Sequence, residues 1–233
     1  MNLHFKKILY ISILIFSLPV LSGEKDLYEF LWLDPDKSVF VLQNKVHPKN
    51  KTLYLDIGYL SNTTSNFQDT NGVQVKAGYF FTEDFGIEAN FLQYSNTNNT
   101  AYESIKVSTS LVPFIRRPLS SNSLFLVWSP FYGKINTFNK IYYFDWGFGV
   151  GTGVYTMESN RDTAGLSNVK DVFKTETFTP LQLKTNVKFH INKRLHVGIE
   201  FLNTNYQADT PKNKGAKNWT QNNDLIFTLG VSF

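Results

Sequence analysis

The chain has 233 residues, carries a formal net charge of +4 and contains no cysteine. This length allows one domain with a well-buried core and leaves little room for a second. The missing cysteines exclude a disulfide framework, a thiolate metal site and a lipid-acceptor residue. The basic residues form no stripe of the kind that nucleic-acid-binding proteins carry, so we expect no nucleic-acid partner.

The N-terminus has the pattern of a secretory signal. Lys6 and Lys7 precede an apolar run over residues 8–21, and Ser22 ends a plausible cleavage site. The run is about fourteen residues long, which suits the apolar region of a signal peptide. It falls short of the roughly twenty residues that a membrane-spanning helix needs. We predict a signal peptide over residues 1–22, and hence an exported protein.

Residues 23–51 form a separate N-terminal segment in this prediction. Leu27, Phe30 and Leu31 would share one side of a short helix that Pro35 ends. Such a helix could lie on a membrane surface, or it could tuck under the domain that follows as a partial plug. The sequence leaves both arrangements open.

Apolar and polar residues alternate after Lys51, and this alternation predicts strands that have one apolar and one polar face. The fourth strand is apolar on both faces, so its register stays open, and so does the question whether residues 95–122 add strands. The eight predicted strands begin near Leu53, Val73, Phe85, Leu124, Ile141, Leu181, Leu195 and Leu225.

The connections between the strands alternate in length. Strands two and three, four and five, and six and seven are joined by short turns, whereas the other links are long and polar. This rhythm is typical of outer-membrane barrels, which have short periplasmic turns and longer external loops. A soluble β-sandwich would not require it. The long links are residues 61–71, 95–122, 158–176 and 207–223.

We therefore predict an all-β fold, an antiparallel up-and-down transmembrane barrel of eight strands over residues 52–233. The expected location is the bacterial outer membrane, with both chain ends on the periplasmic side. Phe233 ends an outward apolar stripe, so we expect it to serve as the signal that the outer-membrane assembly machinery reads. A soluble strand that happens to end the chain is the alternative.

The inward face of the predicted barrel collects charges of both signs. In a lumen of eight strands, such groups either pair as a closed polar plug or line a gated ion path. Four glycines from Gly147 to Gly153 alternate on the same face and leave room for large neighbours. The predicted lumen charges are Asp56, Lys76, Glu88, Asp145, Lys184, Lys188 and Glu200.

A catalytic or metal site finds little support in the sequence. A barrel lipid hydrolase would need a histidine, a serine and an acid at the outer rim, but His190 and His196 flank the predicted periplasmic turn at Asn192. Two histidines are too few to argue a metal. We predict no catalytic residue, no metal and no cofactor.

The last predicted loop carries three basic residues, Lys212, Lys214 and Lys217. We expect them to contact the phosphates of lipopolysaccharide, whose headgroups lie at this height of the membrane. A merely solvated loop is the alternative. Outer-membrane lipids are thus expected partners, and no ligand of the loops can be named.

Three segments resemble a known family. They are VLQNK from Val41, WSPFYGK from Trp128 and FDWGFG from Phe144. Together they resemble the outer membrane beta-barrel domain family that is common in predatory and gliding bacteria. The resemblance implies fold and location but no activity. We expect a structural or surface-interaction barrel, with a narrow ion or small-solute channel as the second hypothesis and a lipid-modifying enzyme as the third.

Overall fold

The computed structural model describes residues 45–137, 140–167, 169–209 and 217–233. The predicted signal peptide and most of the predicted N-terminal segment lie outside these residues. None of the helices within them is long and apolar enough to cross a membrane.

The described residues form nine antiparallel strands and one helix. Helix α1 (Thr100–Thr109) lies between the third and fourth strands. The strands are β1 (Thr52–Asn62), β2 (Gln68–Phe80), β3 (Phe85–Asn98), β4 (Arg116–Thr137), β5 (Lys140–Ser159), β6 (Lys174–Phe178), β7 (Leu181–His190), β8 (Leu195–Asp209) and β9 (Lys217–Ser232).

The sheet closes on itself. Every strand pairs with the next one along the chain except β6 with β7, and β1 also pairs with β9. Strands β6 and β7 both pair with β5 and occupy one position of the ring, β6 beside its C-terminal end and β7 beside its middle. The two are separated at Pro180, which has no N–H to donate to a ladder. The ring thus has eight positions, and the predicted all-β antiparallel barrel is confirmed.

Alternation assigns each residue of a strand to one face of the barrel. On β1, Leu53, Leu55 and Ile57 are exposed on the outside, whereas Tyr54 and Asp56 are buried inside. The same pattern continues around the ring, so that apolar side chains cover the outside.

The structure settles the register of the fourth strand. Leu124, Leu126 and Trp128 point outward, and Phe125 and Val127 point into the lumen. A bulge between Trp128 and Phe131 shifts the register, and Phe131 lies on the outside as well.

The predicted long links are too long, because the strands continue beyond the apolar alternation. Residues 95–122 contain α1 and add no separate strand, since β3 extends to Asn98 and β4 begins at Arg116. Polar side chains pair across these extensions: Thr70 Oγ1 donates to Asn96 Oδ1 over 2.6 Å. The other links shorten to residues 63–67, 160–173 and 210–216.

The two ends of the barrel differ. We call the end with the short connections, residues 81–84 and 191–194, the turn end. The beginning of β1 also lies there, where the backbones of Leu53 and Phe233 are hydrogen-bonded to each other. We call the opposite end, which carries α1 and residues 160–173, the loop end.

Candidate functional site

Glu200 lies at the centre of a buried ionic network in the lumen. Its carboxylate accepts hydrogen bonds from Lys76 Nζ at 2.6 Å and Gln74 Nε2 at 2.9 Å, and Lys184 Nζ lies 3.3 Å away. Lys184 also pairs with Glu88, whose second oxygen accepts from the Tyr54 hydroxyl at 2.6 Å. Lys76 is 0% exposed. Buried charges of this kind are tolerated only when they are paired and hydrogen-bonded.

Asp56 extends the network towards the turn end. Its Oδ1 lies 2.7 Å from His196 Nε2, and its Oδ2 lies 3.2 Å from Lys188 Nζ and 3.4 Å from Lys76 Nζ. Gly230 faces this pair, and a Cβ there would overlap both the carboxylate and the imidazole. The structure therefore brings six of the seven predicted lumen charges into one set, which is Asp56, Lys76, Glu88, Lys184, Lys188 and Glu200.

Asp145, the seventh, forms a separate cluster at the mouth of the turn end. It bonds Lys49 Nζ at 2.7 Å and His190 Nε2 at 2.7 Å. Lys49 also donates to the Ser129 hydroxyl at 2.9 Å. Sequence reasoning missed Lys49, because this residue precedes the first strand and no alternation marks it.

We call residues 45–50 the strap, because they lie across the turn-end mouth. Glu83 accepts hydrogen bonds from the backbone N–H groups of Lys49 at 3.2 Å and Asn50 at 3.0 Å. The ring of His47 stacks on His190, with centroids 4.3 Å apart and planes 5° from parallel. Burial and the neighbouring charge of His190 lower the pKa of His47 below its ordinary value.

The two strand histidines point inward. His190 and His196 flank the turn, as the sequence suggested, and their side chains point into the lumen at the turn end, where they pair with Asp145 and Asp56. Among the described residues, no group of three or more histidine and acidic side chains is placed to hold a metal ion.

An apolar layer covers the network on its loop-end side. Leu60, Leu92, Leu202 and Ile226 are each at most 1% exposed and belong to one cluster of buried side chains. Phe125 belongs to the same cluster, and Lys184 Nζ lies 4.8 Å from the centre of its ring. The glycines of β5 make this packing possible, because a Cβ at Gly149 would lie 2.8 Å from Lys184 Cε.

The loop-end half of the lumen carries ion pairs at its rim, such as Arg116 with Glu176, but is nearly uncharged between that rim and the apolar layer. Its buried acid, Asp224, accepts hydrogen bonds from Asn62 Nδ2 at 2.7 Å and the Tyr94 hydroxyl at 2.8 Å, and no cation among the described residues pairs with it. Gln182 Oε1 is buried without a hydrogen-bond partner among the described residues. Sequence reasoning missed Asp224 because Asn222 and Asn223 resemble a loop. The alternation of 222, 224 and 226 was the signal for it.

The two largest loops among the described residues join into one lid over the loop end, which we define as residues 99–115, 160–167 and 169–173. Asn160 holds them together: its Oδ1 accepts from Ile115 N at 2.8 Å, and its Nδ2 donates to Pro113 O at 2.9 Å. The buried Tyr102 hydroxyl bonds Asp171. Burial and this hydrogen bond raise the pKa of Tyr102 to about 12.

The lid and its rim present both apolar and charged groups. Val107 is 82% exposed and Val172 is also exposed. Beneath the lid, Arg116 pairs with Glu176 at 2.9 Å, and other ion pairs tie the strands of the rim together.

The remaining predicted residues lie on the surface or outside the described chain. Phe233 is 66% exposed, and its backbone N–H donates to Leu53 O at 2.8 Å. Lys217 is exposed at the start of β9. Lys212 and Lys214 lie outside the described residues.

No model of a protein family matches the chain, and no curated protein matches its sequence. Solved structures with similar shape include the N-terminal β-barrel domain of Pseudomonas aeruginosa OprF, at 10% identity and a TM-score of 0.44 over 79% of this chain and 98% of that chain. Ail, the attachment invasion locus protein of Yersinia pestis, is 13% identical, with a TM-score of 0.43 over 79% of this chain and 99% of that one. At these values the likeness supports no statement about activity or ligands, and the fold rests on the strand pairings.

Proposed function

We propose that the chain is an outer-membrane β-barrel with a closed lumen, which acts as a structural or surface-interaction protein. The observation that carries this proposal is the filling of the lumen. The paired charges around Glu200 and the apolar layer around Leu202 lie one above the other, and both are buried. An interior of eight strands is just wide enough to be filled by side chains in this way.

The outside of the barrel supports a place in the membrane. Its exposed side chains are apolar around the whole ring, whereas soluble proteins rarely expose large contiguous apolar areas. A closed ring also satisfies the backbone hydrogen bonds of every strand, which a hydrocarbon environment requires. Aromatic residues gather on the outside near the turn end, where Trp128 contacts Phe85 and Phe148. Such aromatic girdles flank the lipid-facing band of outer-membrane barrels.

The external lid is the part of the molecule best suited to contact a partner. Its two loops are fixed by Asn160 and by the Tyr102–Asp171 hydrogen bond, so that exposed side chains such as Val107 keep their positions. Low mobility reduces the ordering entropy that binding costs. The basic residues Lys212, Lys214 and Lys217 are proposed contacts for lipopolysaccharide phosphates, supported by the exposure of Lys217.

A narrow ion channel is the second candidate. It is favoured by cavities at the two ends of the barrel, about 680 Å³ at the turn end and about 550 Å³ at the loop end. The paired charges and the apolar layer lie between them. A lipid-modifying enzyme has less support, because His47, His190 and His196 all lie at the turn end.

Surface labelling tests the proposed location and orientation. Single cysteines at Thr64, Ala101, Ala164 and Lys214 should react with an impermeant maleimide on intact cells, because they lie in loop-end connections. Cysteine at Asn192, in the exposed turn of residues 191–194, is the matched control and should react only after the outer membrane is opened. Labelling at Asn192 on intact cells would contradict the orientation.

Assembly offers an independent test. We propose that the assembly machinery recognises Phe233, which is exposed at the end of the outward stripe of β9. Phe233→Ser should lower the amount of heat-modifiable protein in the outer membrane. Since Val231 lies on the same outward stripe but is internal, Val231→Ser serves as the control. Unchanged abundance of Phe233→Ser would contradict the proposal.

A further inference from the structure

A cavity of about 680 Å³ opens at the turn end, between the strap and the inner wall of the barrel. We call it the vestibule. Its size lies within the range of small-molecule sites. The charge network and the apolar layer close it towards the loop end, so a molecule that enters the vestibule meets a floor and not a passage.

Besides Lys49, which is paired with Asp145, three cations lie along the vestibule. Lys188 lies at its inner end, with its Nζ 3.2 Å from Asp56 Oδ2 and 3.6 Å from the centre of the Tyr54 ring. An ammonium group has three donors, so Lys188 keeps hydrogen-bonding capacity for a ligand. Lys193 and Arg194 line the outer part, are exposed, and form no ion pair with a described residue.

The acids around the vestibule are already engaged. Asp145 bonds Lys49 and His190. Asp56 lies beside His196, Lys188 and Lys76. The terminal residue Phe233 also lines the cavity, and its backbone oxygen accepts a hydrogen bond from the Leu53 N–H. Among the side chains that line the vestibule, the charges that remain unpaired are therefore positive.

The walls between these cations are largely apolar. Phe80, Pro48 and the ring of Tyr54 line the cavity, and the His47 ring closes one side with a buried Nδ1 that has no hydrogen-bond partner among the described residues. A ligand that fits both features has a charged head for Lys188 and a compact apolar body for the walls.

We propose that the vestibule binds a small organic oxyanion, a carboxylate or a phosphate monoester with an aromatic or aliphatic body. Lys188 holds the oxyanion at the inner end, and Lys193 and Arg194 attract it at the entrance. The proposed orientation in the outer membrane decides only one point, which is that the ligand arrives from the periplasm. The site itself does not depend on that orientation.

Titration of the folded protein in a nonionic detergent, followed by ¹⁹F NMR, tests the proposal. The probes are 4-fluorobenzoate and 4-fluorophenyl phosphate, with the neutral 4-fluorobenzyl alcohol as a comparison. We expect saturable binding of at least one anionic probe, with a dissociation constant of roughly 1 mM or lower. Lys188→Met should weaken it by about tenfold, since a hydrogen bond to a charged group is lost.

A second variant keeps the test valid if Lys188→Met fails to fold. Lys193→Gln combined with Arg194→Gln changes only exposed turn residues and should also weaken binding. Lys134→Gln is the matched control, since Lys134 is an exposed cation of the β4–β5 hairpin that does not line the vestibule. Equal affinity in all variants, equally tight binding of the neutral probe, or no saturable binding to the unmodified protein would each overturn the proposal. None of these outcomes bears on whether the lumen conducts.

Discussion

The two halves of the lumen are filled in different ways. In the turn-end half, Lys76, Lys184 and Glu200 belong to an ionic network that joins several strands across the barrel. In the loop-end half, between the apolar layer and the ion pairs of the rim, Asp224 is held by the neutral donors Asn62 and Tyr94. The same closed sheet thus surrounds an ionic half and a second half that is largely neutral between the apolar layer and the ion pairs of its rim; we call the second one the neutral half.

This difference has an energetic consequence. Removing one member of a buried ion pair leaves a charge without compensation, which costs several kcal/mol. Removing one member of a neutral hydrogen bond costs about 1–3 kcal/mol, and less where water can replace the lost partner. The ionic half should therefore control the stability of the barrel, and the neutral half should tolerate substitution.

The largest effect is expected from single substitutions in the ionic half. Glu200→Gln or Lys184→Met should each lower the free energy of unfolding by about 2–4 kcal/mol, because each leaves an opposite charge buried. Reversible unfolding in urea, with the protein in lipid vesicles, measures this change.

A matched pair sharpens the result. Lys184→Met combined with Glu88→Gln removes both members of one ion pair, so it should destabilise the barrel by less than the sum of the two single changes. If the double variant shows a fully additive loss, the two charges are not coupled and the network does not act as a unit.

A smaller effect is expected in the neutral half. Asp224→Asn keeps the shape of the side chain and removes a carboxylate that has no cation partner among the described residues. We expect a change of at most about 1 kcal/mol in the free energy of unfolding, in the same urea assay. A loss as large as that of Glu200→Gln would remove the distinction between the two halves.

The smallest expected effect is the pH dependence of the strap that lies over the ionic half. The pKa of His47 is lowered by burial and by the charge of His190, so the folded state favours the neutral ring. The contribution of the docked His47 ring to stability is therefore complete above the ordinary pKa of 6.5 and is lost as the pH falls through the lower pKa of the folded state.

A spin label at Val46, which is exposed, would report this release as increased mobility below pH 6.5. His47→Phe keeps an aromatic ring but cannot gain a proton, so its label should be insensitive to pH over this range. The same pH response in His47→Phe would assign the effect to another group.

Much of the fold follows from the sequence, because apolar and polar residues alternate along a barrel strand and so predict its outward and inward faces. Leu53, Leu55 and Ile57 predict the outside of β1, and Asp56 between them predicts the inside. The ends of the strands were harder, because residues such as Asn71 and Ser95 pair in a ladder although they carry no apolar alternation.

The candidate site could be predicted only in part. The seven charged positions follow from strand faces, but the pairing of Lys184 with Glu88 depends on how strands distant in sequence meet across the closed lumen. Lys49 lies outside any strand, and its contact with Asp145 requires the path of the strap. Helix α1 was not expected, since its sequence is rich in serine and threonine, which favour helices weakly.

Electrical recording across a planar bilayer tests the closed lumen most directly. A known open porin, whose sixteen or more strands leave an aqueous channel, is recorded in a separate bilayer as the control. It shows that the assay detects open pores. We expect no steady conductance from the unmodified barrel, because paired charges and the layer of Leu60, Leu92, Leu202 and Ile226 fill its interior. A stable, porin-sized current through the unmodified barrel would contradict this account and make the channel the leading hypothesis.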